Sequence, residues 1–422
     1  MSEVILLVDG MSVDGRPFTV ADRLKSICNN WIDHYYQEIT NTYYNVVKKK
    51  IAFQPFHELT GLDPSKKYFY FIPIDHWNFD FQKFLPIIDR SKLKFFAENN
   101  IPILFAHDLE MLPNFEFERL VKNFEWLFHM RACYSFNDLK FVFLTAGDLI
   151  DSQKTFMNEY FYGSMKLLRS PLMFKYLLDI TDLHDTVDPR GMFEAYKKNT
   201  KKEKQFTCLT RGPRLHRVAL LHGLRSKGFM REGYISNRKL SKYDPSTIKS
   251  NTTYAFTVRE DMIESNIEVI HIDDLGTDDK NRMNDIPLPT EYLVKSYYDL
   301  INETGTQYEL IDPVDFSVIT EKTFKSLYYY RPFMMNGGPG NLRYLKEIGF
   351  KTYDFLFDES YDDKLNFIDR HEIIVQNVAK YQGRYDILED LIEANYDVMI
   401  HNHDHLIDLD YESLLVDTLI TA

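Results

Sequence analysis

Four short runs of consecutive apolar residues punctuate the first 150 positions: Val4–Val8, Tyr68–Ile74, Ile101–Ala106 and Phe141–Leu144. Continuous apolar runs of this length predict strands buried on both faces, as in a parallel sheet covered by helices. Each run gives way at once to polar or acidic residues: Asp9-Gly10, Asp75-His76, His107-Asp108 and Thr145-Ala146-Gly147-Asp148. Longer stretches of helical character, such as Glu116–Met130, separate them. Strand alternating with helix is the signature of a doubly wound α/β domain, and such sheets bind ligands beyond the carboxyl ends of their strands. Asp9, Asp75, His76, His107, Asp108 and Asp148 are therefore expected along one sheet edge.

The pattern pauses at Lys197–Gln205, nine residues without an apolar side chain, which reads as a linker. A second α/β unit is predicted beyond it. Its expected strands are Phe206–Leu209, Thr253–Thr257, Val269–Ile272, Phe316–Ile319 and Pro332–Met335. Its expected helices are Arg214–Lys227, Glu291–Leu300, Thr323–Tyr330 and Leu342–Glu347. The predicted organisation is an α/β domain over 1–200, a second over 201–385 and a helical carboxyl-terminal segment over 386–422. Two Rossmann-like domains joined in this way are expected to face a cleft, a favoured place for small ligands.

Charge changes this picture. The 422 residues carry a formal net charge of −13, which disfavours general binding to polyanions or to anionic membranes. The distribution is uneven: residues 1–200 sum to −3, residues 201–250 to +10 and residues 251–422 to −20. A basic block thus opens the second unit. No run approaches the roughly 18 apolar residues of a membrane-spanning helix, and the start of the chain lacks a basic, apolar leader. The three cysteines, Cys28, Cys133 and Cys208, have no zinc spacing and are expected as buried thiols. These features point to the cytoplasm.

Three constellations carry chemistry, each at the end of a predicted strand in the second unit. In Thr210-Arg211-Gly212-Pro213-Arg214 a strand turns into a helix, with Arg217 one turn further on. A helix start offers unpaired amides to an anion, and guanidinium groups grip phosphate in a bidentate manner. A solvated basic helix start accounts for the same residues. In Thr320-Glu321-Lys322, with Glu303 upstream, Thr320 is a good N-cap and Glu321 suits the first turn. The same Glu321 could accept two ribose hydroxyls while Lys322 meets a phosphate. In Asn336-Gly337-Gly338-Pro339-Gly340, three glycines in four residues would let a ligand approach the backbone. A plain strand-to-helix turn needs fewer. A further cluster, His401-Asn402-His403-Asp404-His405, would put three imidazoles on one side if it were a strand, as metal ligands require; an exposed polar turn is the simpler reading.

The order of these elements in residues 204–380 resembles the carboxyl-terminal donor domain of GT-B glycosyltransferases, most nearly the family 10 fucosyltransferase and exostosin-type branch. There a Glu-Asn-Ser segment is followed by Tyr-(Val/Ile)-Thr-Glu-Lys, a helix, and a Pro-hydrophobic strand running into glycine. Asn302-Glu303-Thr304 stands near the first, with Thr304 in place of Ser. Ile319-Thr320-Glu321-Lys322 matches the second, and Arg331–Gly337 stands for the third. Gly349–Arg370 is also similar to uncharacterised glycosyltransferase-like proteins of tailed bacteriophages and giant viruses.

The resemblance implies a transferase that moves a sugar from a nucleotide diphosphate sugar to a hydroxyl, with no metal and no cofactor beyond that co-substrate. It implies that Arg211 or Arg214 and Lys322 hold the diphosphate and that Glu321 holds the ribose. Arg217, Glu303, Thr320, Gly337 and Gly338 complete the expected donor site. The acceptor, a glycan or other saccharide, is expected on the first domain. An inverting reaction would need a base there, for which Asp9, Asp75, His76 and Asp108 are the candidates. Two alternatives remain open: a viral DNA glycosyltransferase acting on hydroxymethylated bases, and a non-enzymatic interaction protein with a degenerate donor domain.

Overall fold

The computed structural model describes residues 4–11, 17–18, 50–73, 88–107, 138–145, 147–149, 164–172, 187–199, 201–209, 215–237, 270–271, 290–303 and 316–421, with a few further positions between 155 and 178. Two units emerge. The first comprises Met1–Tyr176 with Asp410–Ala422, the second Leu177–Leu409.

The sheet of the first unit contains β1 (Val4–Val8), β2 (Ile51–Pro55), β3 (Lys67–Pro73), β4 (Ile103–His107), β5 (Phe141–Thr145) and β6 (Met165–Arg169). All are parallel, in the order β2-β1-β3-β4-β5-β6. The four apolar runs of the sequence are β1, β3, β4 and β5. Every residue of β1 and β5 is buried, as expected for strands covered on both faces. Helix α1 (Arg90–Glu98), capped by Asp89, lays Leu93 and Phe96 on this sheet's side, where Phe96 stacks on Tyr70 at 4.7 Å.

The second sheet contains β7 (Lys204–Leu209), β8 (Gly233–Asn237), β9 (Ile270–His271), β10 (Ser296–Asn302) and β11 (Phe333–Asn336). It is also parallel, ordered β9-β8-β7-β10-β11. Around it lie α2 (Pro189–Lys198), α3 (Leu215–Ser226), α4 (Thr290–Val294), α5 (Glu321–Tyr328), α6 (Asn341–Glu347) and α7 (Phe367–Lys380). The helices α8 (Tyr385–Glu393) and α9 (Tyr396–Asp408) follow in the same unit. Helix α10 (Tyr411–Ile420) returns to the first unit, where Lys50 pairs with Asp410 and Lys67 donates to the Ile420 carbonyl at 2.9 Å. The fold is thus α/β with two parallel, Rossmann-like sheets and helices at the carboxyl end.

Three sequence expectations change. The helix expected at Glu291–Leu300 stops after Val294, and Ser296–Asn302 is instead the interior strand β10, buried at all seven positions. Its polar residues at a spacing of three imitate a helix face. Arg331 meets the first two: its guanidinium donates to Asp299 Oδ1 at 3.1 and 3.2 Å, to Ser296 Oγ at 2.9 Å and to two carbonyls, while Asn302 accepts from Asn336. Thr207 and Ser326 complete the shell of Asp299.

The Lys197–Gln205 stretch is not a solvated linker. Gln205 is buried, and Lys202 places its ammonium between the rings of Tyr196 and Tyr297 while donating to Glu389 at 3.1 Å.

The His401–His405 run is neither strand nor turn but part of α9. Its imidazoles cap carbonyls that helix ends leave unpaired: His403 at Tyr328 (2.6 Å), His405 at Ile348 (2.7 Å) and His401 at Gly349 (3.0 Å). Among the described residues no group of three or more His, Cys, Asp or Glu could hold a metal ion. No helix among them is long and apolar enough to cross a membrane. The expected strand Thr253–Thr257 and helix Glu116–Met130 lie outside the described residues.

Candidate functional site

Strand order in the second sheet reverses direction between β7 and β10. A chain that winds outward both ways from that point leaves a crevice beyond the carboxyl ends of those two strands. Polar residues gather there. Asn336 closes β11 and donates to Asn302 Oδ1 at 2.7 Å; Asn302 closes β10 and donates to Cys208 Sγ at 3.1 Å. His371, on α7, reaches Asn336 Oδ1 at 2.9 Å. Since that oxygen can only accept, Nε2 carries the proton. Burial, with the Arg370 charge adding to it, lowers the pKa of His371 to about 3, so the ring is neutral.

Glu303 follows β10 at the crevice and has no exposed surface. Its Oε1 accepts from Thr320 N (3.0 Å), Thr323 N (3.3 Å) and Thr323 Oγ1 (2.5 Å), and its Oε2 accepts from Thr320 Oγ1 (2.5 Å). The carboxylate therefore caps the first turn of α5 from a neighbouring strand, satisfying two amides that the helix leaves unpaired. The Glu303 carbonyl accepts from His216 Nε2 at 2.9 Å and from Arg217 at 3.2 Å, both on α3. Arg217 is buried, not a solvated basic residue. His216 and His371 each stack on Phe367, at 5.2 and 5.6 Å.

Held in this way, the start of α5 presents Thr320, Glu321 and Lys322 at the crevice. Lys322 Nζ donates to Glu321 Oε1 at 2.7 Å and to Thr320 Oγ1 at 3.0 Å. The Glu321 side chain is 40% exposed and that of Lys322 24%. Burial raises the pKa of Glu321, but the adjacent Lys322 ammonium outweighs it and holds the carboxyl at about 2. A solvent-reachable carboxylate–ammonium pair can exchange its internal hydrogen bond for contacts with a ligand's hydroxyls and phosphates.

The glycine turn completes the arrangement. A Cβ at Gly337 would sit 2.9 Å from Glu303 Cβ and 3.0 Å from Asn341 Nδ2, so only glycine fits. Gly340 has φ +76°, a conformation that L residues rarely adopt. Glu303, Thr320, Glu321, Lys322, Arg217, Gly337 and Gly338 all belong to this one edge of one unit. Arg211 and Arg214 lie outside the described residues.

In the first unit the expected edge residues are less completely seen. Asp9 follows β1, at the point where that sheet's order also reverses, and its side chain is fully buried. Tyr70 and Lys92 each donate to Asp9 Oδ1 at 2.7 Å. His107 closes β4, and Asp148 lies in the short strand Gly147–Leu149. Asp75, His76 and Asp108 lie outside the described residues.

Asn302 and Asn336 were named only as members of motifs, and the sequence did not single out Thr323, His216, His371 or Arg370. Only Thr323 had a local signal, as the second hydroxyl of a capped first turn. The others sit within apolar or amphipathic stretches, and their role depends on which strand ends are neighbours.

Both units, then, are parallel sheets of the Rossmann-like class. No protein-family model matches the chain, and no curated protein matches it. Among solved structures it is similar to a T4 phage BGT mutant in complex with UDP-glucose, with a TM-score of 0.37 and 10% sequence identity over 99% of each chain. That likeness is weak.

Proposed function

We propose that the protein is a glycosyltransferase of GT-B type that uses a nucleotide diphosphate sugar. The donor's nucleotide lies at the carboxyl edge of the second sheet. One observation carries this reading: a buried carboxylate, Glu303, is spent on fixing the start of α5 so that the half-exposed Glu321–Lys322 pair stands at the reversal point of a parallel sheet. Glu321 accepts the ribose hydroxyls, and Lys322 meets the diphosphate as a point charge. Arg217 is held too deeply for direct contact and stabilises the edge; Arg211 and Arg214 are assigned the bidentate grip on the diphosphate. As the sugar leaves, negative charge builds on the diphosphate, and cations fixed in advance lower the barrier.

The first unit takes the acceptor, a glycan or other saccharide hydroxyl. Asp9 is already tied by Lys92 and Tyr70, which suits a fixed anchor better than a base that must take up a proton. The base is accordingly assigned to Asp75, His76 or Asp108. No described residue favours DNA as acceptor over a saccharide.

The test is donor hydrolysis with a panel of nucleotide diphosphate sugars, repeated on Glu321→Ala and Lys322→Ala. At least one donor should be turned over, and each substitution should reduce the rate at least tenfold. Turnover that survives both substitutions unchanged removes the assigned roles.

A further inference from the structure

We propose that the turn Gly337–Gly340, with the buried guanidinium of Arg370 behind it, is a cradle for a phosphoryl anion in the second unit. This deepens the donor reading and rests on it for the anion being a nucleotide's diphosphate.

Arg370, on α7, has no exposed surface. It donates from one terminal nitrogen to the Gly337 carbonyl and from the other to the Lys364 carbonyl, both at 2.5 Å. No carboxylate among the described residues comes within 4.0 Å of it, and its buried Nε–H has no acceptor there. Burial lowers its pKa to about 10, with the more distant Asp362 acting in the opposite sense, so it stays a cation at neutral pH.

The other fully buried arginine among the described residues of this unit is the contrast. Arg331 is neutralised by Asp299 and uses its guanidinium nitrogens on five contacts. A buried cation without a counter-ion is costly, and an anionic ligand is the natural compensation.

The turn is shaped to bring that ligand close. All peptide bonds described are trans, so the Gly337 carbonyl and the Gly338 N–H point in opposite directions. With the carbonyl drawn inward by Arg370, the Gly338 N–H points away from it. Gly338 is buried, and its N–H has no acceptor among the described residues. The start of α6 is not the anion site, because Asp362 Oδ2 already takes the amides of Leu342 and Arg343 at 3.1 Å each. What is left to attract a phosphate is an unspent amide in front of the turn and an uncompensated charge behind it. Arg370 is here a positioning residue: it sets the peptide and supplies field, and the glycine backbone makes the contact.

The experiment is calorimetry at low salt on the full chain, with inorganic pyrophosphate, nucleoside diphosphates and the corresponding nucleosides. It is run on the wild type, Arg370→Lys and Arg370→Gln, with melting curves to confirm folding. The wild type should bind pyrophosphate. Arg370→Gln should weaken pyrophosphate and diphosphate binding at least tenfold while leaving any nucleoside binding within about threefold, and Arg370→Lys should restore part of the loss. Should Arg370→Gln not fold, the wild-type Nε–H resonance of Arg370 decides: pyrophosphate should shift it, and an unmoved resonance under saturating pyrophosphate overturns the proposal.

The outcomes separate the two readings. Diphosphate binding indifferent to both substitutions overturns the cradle and leaves the donor reading intact. Arg370-dependent pyrophosphate binding without any nucleotide binding keeps the cradle and removes the donor reading. Binding of neither ligand by the wild type removes both.

Discussion

Replacing Glu303 separates a positioning role from a ligand-contacting one. Its carboxylate accepts four hydrogen bonds, two from the amides of Thr320 and Thr323 and two from their hydroxyls, with no exposed surface. Glu303→Ala strands two buried amides at the start of α5, each costing about 1–3 kcal/mol, and the hydroxyls recover only in part by rotating. A total loss of about 4 kcal/mol is expected. Glu303→Gln keeps the oxygen that serves both amides. It exchanges the other for an amide that the Thr320 hydroxyl can turn to meet, at a cost of about 1–2 kcal/mol. Because the carboxylate is wholly engaged within the protein, Glu303→Gln should leave nucleotide diphosphate affinity within about threefold. Urea unfolding followed by fluorescence, with calorimetry on the same preparations, reads both effects. Two results refute the reasoning: an alanine variant within 1 kcal/mol of wild type, or a glutamine variant of normal stability that has lost nucleotide binding tenfold.

Gly337→Ala drives a methyl against Glu303 Cβ at 2.9 Å and should cost about 1–3 kcal/mol while weakening diphosphate binding; an unchanged melting point and affinity would show that the turn has slack. Arg331→Met leaves Asp299 as a buried charge without its partner and should cost about 3–5 kcal/mol by urea unfolding, whereas a loss under 1 kcal/mol would mean that the pair is dispensable. His371 has a folded pKa of about 3, depressed from 6.5, so between those values the unfolded chain binds the extra proton. The stability it supports is complete above pH 6.5 and falls by about 1.4 kcal/mol per pH unit as the solution is acidified below that. Subtracting the pH profile of His371→Gln from that of the wild type should isolate this slope; parallel profiles contradict it.

Several elements were legible because their signal is local. The all-buried runs at Val4–Val8 and Phe141–Thr145 could be read as parallel strands, since no polar face is needed where helices cover both sides. Thr320 announced the start of α5 by its type and place. The interior strand β10 was not legible, because Ser296, Asp299 and Asn302 repeat at helical spacing. The burial of Ser296 and Asp299 depends on Arg331 and that of Asn302 on Asn336, both far along the chain and brought in only when β11 is laid beside β10. The His401–His405 run misled for a related reason: its partners are the carbonyl ends of α5 and α6, which no pattern within the run encodes. In the site, Glu321, Lys322 and the glycines were visible as motif. The spent carboxylate of Glu303 and the buried Arg370 were not, because which side chains are satisfied by the protein itself is a property of neighbouring strand ends.

On the proposed function, the carboxyl edge of the second sheet binds a nucleoside diphosphate. Calorimetric titration of the wild-type protein with UDP, GDP, ADP and CDP tests it most directly. Saturable one-to-one binding of at least one of them, weakened at least tenfold in Lys322→Ala, is the predicted result. Absence of binding by all four at low salt, in a protein with a cooperative melt, would contradict it.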